Sequence, residues 1–121
     1  MNYSHVLYHA NCADGFGAAY AAWTVLGEGA VYLPVRHGDA PPELPDQARV
    51  AVLDFSYDRA TLLQLQARLS DFLVLDHHKS ARDDLRDLSW AQFDMDKSGA
   101  RLAWEFWRPG EELPELLAYV E

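Results

Sequence analysis

The sequence predicts an α/β protein, a Rossmann-like three-layer sandwich with a mainly parallel sheet flanked by helices. Short apolar runs alternate along the chain with segments of helical periodicity, and the runs lie at residues 5–9, 30–35, 50–55 and 72–76. Parallel strands need crossover connections, which are usually helices, so this alternation indicates a parallel sheet. The run at 50–55 is apolar almost throughout, as is typical of a strand covered on both faces.

Composition limits the classes of protein that fit. The 121 residues match one domain, residues 1–121, since domains typically hold roughly 100–150 residues. A formal net charge of −9 at pH 7 argues against a free basic surface for nucleic acid, although metal ions can supply the positive charge that a phosphate needs. The lone cysteine excludes an internal disulfide framework. A single cysteine is also typical of a reducing compartment. Because the sequence shows no signal peptide and no long apolar segment, we expect a cytoplasmic protein with no membrane contact.

The first helix is predicted to begin near Asp14 or Gly15, after the strand at residues 5–9, and to end at Gly27 and Gly29. Three aromatic residues share one face of this helix and are expected to lie in the core: Phe16, Tyr20 and Trp23. Pro34 predicts an edge position for the second strand, at residues 30–35. The proline-rich stretch 38–46 is predicted to be a surface loop.

The second half of the chain continues the alternation. Ser56 or Asp58 is expected to cap the helix that follows the third strand. Leucines at helical spacing predict its buried face: Leu62, Leu65 and Leu69. A short strand is predicted at 91–93 and a last helix at 113–120. Between them, a helix capped by Ser98 is expected to bury Ala100, Ala103, Trp104 and Trp107.

Polar residues follow three of the predicted strands at their carboxyl ends. His9 ends the first strand, Asp54 stands at the end of the third, and Asp76-His77-His78 ends the fourth. Ligands of parallel α/β sheets bind at the carboxyl ends of the strands. Carboxylates with imidazoles suit Mn²⁺, Mg²⁺, Fe²⁺ or Zn²⁺. Two such ions bridged by a carboxylate can activate water for an in-line phosphoryl displacement.

In their order and spacing these residues resemble the DHH phosphoesterase superfamily. The resemblance lies in Asp76-His77-His78 after an apolar strand, Asp54 on the strand before it and the segment 9–15 after the first strand, and it extends through 94–100. Members include manganese-dependent pyrophosphatases, exonucleases, small-RNA nucleases and cyclic-dinucleotide phosphodiesterases. The resemblance implies two Mn²⁺ ions and a substrate that is a phosphorylated small molecule or a short nucleic-acid end.

The resemblance also implies a role for each matching residue. Four residues are implied as metal ligands, with Asp54 bridging the ions: His9, Asp14, Asp54 and His77; Cys12 is a fifth candidate ligand, at a position where many relatives have aspartate. His78 would face the scissile phosphate as a catalytic group, and Asp76 would orient His77. Ser98 and Gly99, at a helix start, would offer amide donors to a phosphate, or Ser98 would simply cap that helix.

The sequence departs from the family pattern in two places. Cys12 stands where many relatives have aspartate; a thiolate suits Zn²⁺ or Fe²⁺ better than Mn²⁺, and a buried small residue without metal contact is the alternative. The chain also ends at Glu121, before the family's fourth acidic motif and second domain. It therefore resembles the N-terminal catalytic half of a longer architecture, with a homodimer possible through the surface that a second domain would cover. Asp94 and Asp96 fit helix-start carboxylates or substitutes for the missing ligand.

Two other functions fit the same residues. A degenerate or truncated domain would bind metal, nucleotide or a protein partner without turnover. An unrelated Rossmann-like phosphate binder would bind nucleotide whether or not a chelator is present. The second alternative is weakened because residues 14–17 do not match a Gly-x-Gly-x-x-Gly fingerprint and the chain has no Walker lysine.

Overall fold

A computed structural model describes residues 3–119 as one parallel sheet with helices on both faces. The strands are β1 (His5–His9), β2 (Val31–Val35), β3 (Arg49–Leu53), β4 (Asp71–Asp76) and β5 (Ala91–Phe93). The helices are α1 (Ala13–Leu26), α2 (Arg59–Arg68), α3 (Lys79–Leu85), α4 (Gly99–Trp107) and α5 (Glu115–Ala118), with a 3-10 turn at Gly27–Gly29. None of the helices within residues 3–119 has the length and apolar character needed to cross a membrane.

The strand order in the sheet is β2-β1-β3-β4-β5, and every neighbouring pair is parallel. The predicted α/β Rossmann-like fold is therefore confirmed, and β2, the strand that contains Pro34, lies at an edge as predicted. From β1 the chain passes through α1 to β2, toward one edge of the sheet. From β3 it passes through α2 to β4, toward the opposite edge. The crevice between the carboxyl ends of β1 and β3 is thus the switch point, where such sheets bind ligands.

Alternating side chains of the strands fill two cores, one on each face of the sheet. Ala51 and Leu53 of β3 point to the face covered by α1 and α4, and Val50 and Val52 point to the face covered by α2 and α3. All four are buried, which explains why β3 is apolar throughout. The sheet is therefore held rigidly from both sides, and so are the side chains that leave its carboxyl edge.

The predicted core face of α1 is wrong. Its aromatic residues face solvent, with Phe16 68%, Tyr20 38% and Trp23 49% exposed. The buried face instead consists of small residues, which include Ala18, Ala21 and Ala22. Helix α1 packs against α4, whose contact residues Ala100 and Ala103 are equally small. Two helices that approach this closely leave no room for aromatic rings between them.

The helix ends agree largely with the sequence. The carboxylate of Asp58 accepts the Thr61 N–H at 3.0 Å, and Ser98 Oγ accepts the Arg101 N–H at 3.0 Å. Gly27 adopts a positive φ of 61° at the end of α1. The last helix is shorter than predicted and ends at Ala118, while residues 120–121 lie outside the described part of the chain. Trp104 is buried, whereas Trp107 is only partly buried.

Candidate metal centre

Three loops at the carboxyl edge of the sheet bring the predicted site residues together. His9 is the last residue of β1, Asp54 follows β3, and Asp76 is the last residue of β4. Cys12 and Asp14 lie in the turn that starts α1, so they return to the edge beside His9. Since β1 and β3 are neighbours and β3 and β4 are neighbours, three strand ends deliver their side chains to one crevice.

Asp54 is the centre of this cluster. Its side chain is only 1% exposed, and its backbone has a φ of 56°, a left-handed conformation that Asp tolerates better than most residues. This turn aims the carboxylate across the crevice, where Oδ1 lies 2.8 Å from His77 Nε2. The other oxygen, Oδ2, lies 3.6 Å from Cys12 Sγ and 3.6 Å from His9 Nδ1.

Each oxygen of Asp54 therefore faces a different group of side chains that could hold a metal ion. One group is His9, Cys12 and Asp54, and another is Asp14, Asp54 and His77; a third, without Asp54, is Asp76, His77 and His78, and within each the ligand atoms lie within 4.8 Å of one another. The buried Nδ1 of His9 has no hydrogen-bond partner in residues 3–119. Because buried polar atoms are almost always paired, this orphaned nitrogen fits a site that a bound ion completes.

Asp14 is held by the start of α4. Its two carboxylate oxygens accept the backbone N–H groups of Gly99 and Ala100, both at 2.8 Å. A carboxylate is favoured there by the partial positive charge of a helix N-terminus. Oδ2 of Asp14 also lies 3.3 Å from His77 Nε2. The Gly99 amide is thus engaged by a predicted metal ligand and Ser98 caps α4, so phosphate binding by these two residues stays a prediction.

Asp76 positions a different histidine from the one predicted. Its carboxylate Oδ1 lies 2.6 Å from His78 Nδ1 and accepts the backbone N–H of His77 at 2.8 Å. It therefore orients the ring of His78, whereas Nε2 of His77 faces Asp54 and Asp14. The two histidine rings remain close, with centroids 4.7 Å apart, and His78, with 44% of its side chain exposed, is the more accessible.

The electrostatics of the crevice are dominated by crowded acids. Burial, and then the neighbouring carboxylate of Asp14, raise the pKa of Asp54 from 3.8 to about 6, against the opposing effect of His77. In the absence of a cation the site therefore disfavours the full negative charge that its acids carry near neutral pH. A bound divalent ion would neutralise this negative charge and offset the repulsion, so the same acids that repel one another can hold a metal.

Sequence reasoning missed His37, which follows β2 and reaches the same edge. Its ring stacks on Phe55, with centroids 4.5 Å apart, and meets the ring of His9 edge-on at 5.1 Å. His9 and Asp54 were predicted because they stand at the carboxyl ends of strands. The same reasoning applied to β2 would have predicted His37. Asp94, by contrast, accepts the Asp96 N–H within its own turn, and neither acid joins a metal-binding group among residues 3–119.

Gly99 is required for the close approach of α4 to Asp54. A Cβ atom at Gly99 would lie 2.6 Å from both Cβ and Oδ1 of Asp54. We therefore expect Gly99→Ala to push Asp54 out of position, to lower the free energy of unfolding by about 1–3 kcal/mol and to weaken metal binding. Gly29→Ala is the matched control, because a Cβ there meets nothing within 4 Å. Equal melting temperatures and metal affinities for the two variants would contradict this view of the packing.

Comparisons with known proteins identify relatives without known activity. No protein-family model matches the chain. The uncharacterized protein R106 of Acanthamoeba polyphaga mimivirus is 32% identical over 133 residues, which cover 96% of this chain and 32% of the viral protein. The crystal structure of an uncharacterized protein from Helicobacter pylori G27 superimposes with a TM-score of 0.74 at 14% identity, over 95% of this chain and 39% of that chain. The chain thus spans about a third of the viral relative, and the bacterial structure supports the fold alone.

Proposed function

We propose that this protein is a divalent-metal-dependent phosphoesterase that hydrolyses a phosphodiester or phosphoanhydride bond in a short oligonucleotide or small nucleotide, as its resemblance to the DHH superfamily implies. The observation that carries the proposal is the position of Asp54. Its two carboxylate oxygens face two separate groups of ligands, His9 with Cys12 and Asp14 with His77. A carboxylate shared in this way is suited to bridge two ions at the switch point of the sheet.

The donor set fits divalent ions. His9, Cys12, Asp14, Asp54 and His77 would hold them; Mn²⁺ is the expected ion, with Mg²⁺, Fe²⁺ or Zn²⁺ as the other ions that such donors accept. When bound, the ions would supply an activated water and neutralise phosphate oxygens. They would also allow a chain with a net charge of −9 to accept an anionic substrate.

His78 would act on the substrate directly. Its Nδ1 is taken by the buried carboxylate of Asp76 at 2.6 Å, which leaves Nε2 as the nitrogen that meets a substrate. In its protonated form Nε2 donates to a phosphate oxygen or gives its proton to the leaving oxygen. The Asp76 carboxylate fixes the orientation of the ring through this contact.

The space next to His78 favours a diester over an anhydride. A cavity of about 440 Å³ lies there, lined by the hydroxyl-bearing residues Ser56, Tyr57 and Ser80 together with Asp58 and Asp84. Those acids would repel a second phosphate. Hydroxyl groups and carboxylates instead suit the sugar of a nucleotide, so the leaving group on the His78 side would be a sugar oxygen.

Metal removal tests the proposal. We expect the Mn²⁺-loaded protein to hydrolyse a dinucleotide or a bis-aryl phosphodiester, and to act more slowly on pyrophosphate. A chelator should abolish turnover and added Mn²⁺ should restore it, because the site without cations repels phosphate. Hydrolysis is measured by product release, with the untreated and reloaded protein side by side. Turnover that survives chelation would contradict the proposal.

The alternative function is binding of metal, nucleotide or a protein partner without turnover. The same side chains could hold ions without supporting hydrolysis, and three ligands per group do not separate the two functions, since catalytic metal sites also use three protein ligands and an open position. Ions bound with no hydrolysis of any of these substrates would support it. Self-association, if it occurs, would use the exposed aromatic face of α1, formed by Phe16, Tyr20 and Trp23, because exposed apolar patches of this kind are typical of interaction surfaces.

A further inference from the structure

We infer that the two ion positions are unequal, and that His9, Cys12 and Asp54 select Zn²⁺ whereas Asp14, Asp54 and His77 take a hard ion such as Mn²⁺ or Mg²⁺. This asymmetry rests on the proposed function, since it assigns the metals of the same site. It depends on Cys12, which stands where a site for hard metal ions would have an aspartate. We call the first group the thiolate position and the second the carboxylate position.

The donor atoms of the two positions differ in softness. The thiolate position offers one nitrogen, one sulfur and one oxygen, whereas the carboxylate position offers one nitrogen and two carboxylate groups. Thiolates bind Zn²⁺ strongly, and carboxylates suit Mg²⁺ and Mn²⁺. Sulfur is the one atom that distinguishes the two sets, so Cys12 would decide which ion binds where.

The separations between donor atoms suit an ion in each position, although they do not by themselves choose between the two kinds of ion. With Zn–N, Zn–O and Zn–S bonds of about 2.0–2.3 Å, tetrahedral geometry places ligand atoms about 3.3–3.8 Å apart. In the thiolate position, Asp54 Oδ2 lies 3.6 Å from both Cys12 Sγ and His9 Nδ1. Octahedral Mg²⁺, with bonds of about 2.0–2.1 Å, needs neighbouring ligands about 3 Å apart. In the carboxylate position, His77 Nε2 lies 2.8 Å from Asp54 Oδ1 and 3.3 Å from Asp14 Oδ2.

The orphaned His9 nitrogen is an independent sign that an ion belongs at the thiolate position. His9 Nδ1 is buried without a hydrogen-bond partner in residues 3–119, and it faces the same Asp54 oxygen as Cys12 does. Cys12 stands at the N-terminus of α1 but makes no side-chain capping bond. On binding, its thiol would release one proton to solvent, and the thiolate would offset one of the two charges of Zn²⁺, with the shared Asp54 carboxylate offsetting part of the other.

Cobalt(II) is the probe for a thiolate ligand, because a Co²⁺–thiolate bond gives a near-ultraviolet charge-transfer band that nitrogen and oxygen ligands lack. We expect the metal-free protein to show this band when Co²⁺ is added and to lose it when Zn²⁺ displaces Co²⁺. Cys12→Ser should abolish the band and weaken Zn²⁺ binding more than about 100-fold, since loss of even an outer partner of a ligand costs 10–100-fold. Mn²⁺ binding to the same variant, measured by calorimetry, should change far less.

Asp14→Asn is the matched control, because Asp14 belongs to the carboxylate position and not to the thiolate position. It should keep the Co²⁺ band while weakening Mn²⁺ binding. The circular dichroism and melting temperature of each metal-free variant show that it is folded. Co²⁺ binding without the band, or Zn²⁺ affinity unchanged in Cys12→Ser, overturns the asymmetry but leaves a metal-dependent phosphoesterase intact. No binding of Co²⁺, Zn²⁺ or Mn²⁺ to the folded protein overturns both the asymmetry and the proposed function.

Discussion

Asp54→Asn is expected to abolish the binding of both ions and all metal-dependent hydrolysis, and at the same time to make the metal-free protein more stable at neutral pH. The first effect follows from geometry, because Asp54 is the one residue common to the two ligand groups. Asparagine keeps one carbonyl oxygen but loses the charge and the second oxygen that a bridging ligand needs. It also tolerates the left-handed backbone at position 54, where φ is 56°, so the fold should survive.

The second effect follows from the titration of Asp54. Its pKa is raised from 3.8 to about 6 in the folded protein, chiefly by burial and then by Asp14. Between these two pH values the folded state holds a proton that the unfolded state has released, so the free energy of unfolding falls as pH rises from about 4 through 6. Above that range the charged carboxylate costs on the order of 2 kcal/mol. Asparagine carries no charge, so the cost disappears.

Calorimetric Mn²⁺ titration and thermal unfolding in chelator measure the two effects. At pH 7.5 we expect the Asp54→Asn variant to melt roughly 5 °C above the parent, with the gain shrinking as pH falls toward 5. Asp46→Asn is the control, because Asp46 is an exposed acid that pairs with Arg68 at 3.0 Å, before the start of β3. A variant that still binds two ions would refute the bridging role of Asp54. One that melts lower at pH 7.5 would refute the electrostatic account.

The fold was predictable because local pattern and global topology agree. The apolar runs at β3 and β4 are buried on both faces, and a run of that kind has few places in a globular protein other than the middle of a parallel sheet. Pro34 indicated the edge strand for an equally local reason, since proline cannot donate to a neighbouring strand. These features depend on residues close in sequence, which is where sequence reasoning is strongest.

The site was predictable only as far as strand ends reveal it. His9, Asp54 and Asp76 stand where parallel strands stop, so their convergence follows from the fold. The roles that failed depend on contacts between segments distant in sequence. Helix α1 turns its aromatic face outward because α4 packs against its alanines, and Asp76 meets His78 because of how one loop turns. Periodicity shows that a helix has two faces but not which face the rest of the molecule covers.

The adjacent residues His77 and His78 are expected to fail in different ways when each is replaced by glutamine. His77→Gln should lose the ion of the carboxylate position, because Nε2 of His77 lies 2.8 Å from Asp54 and 3.3 Å from Asp14. His78→Gln should bind both ions as the parent does, since the ring of His78 is held by Asp76 and is outside both Asp54-centred groups. Its kcat should nevertheless fall about 10²–10⁴-fold, the usual contribution of a general acid.

The comparison needs the metal content and the kinetics of each variant. His5→Gln is the matched control, because His5 stands at the amino end of β1, where Nδ1 lies 2.8 Å from Ser4 Oγ, away from the crevice. An activated aryl diester separates the roles further, because its leaving group departs without protonation. Its rate of hydrolysis should therefore fall less in His78→Gln than the rate with a dinucleotide does. If His78→Gln loses an ion, His78 is a ligand and not a proton donor. If the His78→Gln variant keeps both ions and full kcat on the dinucleotide, the contact between Asp76 and His78 stabilises the turn before α3 and has no part in the reaction.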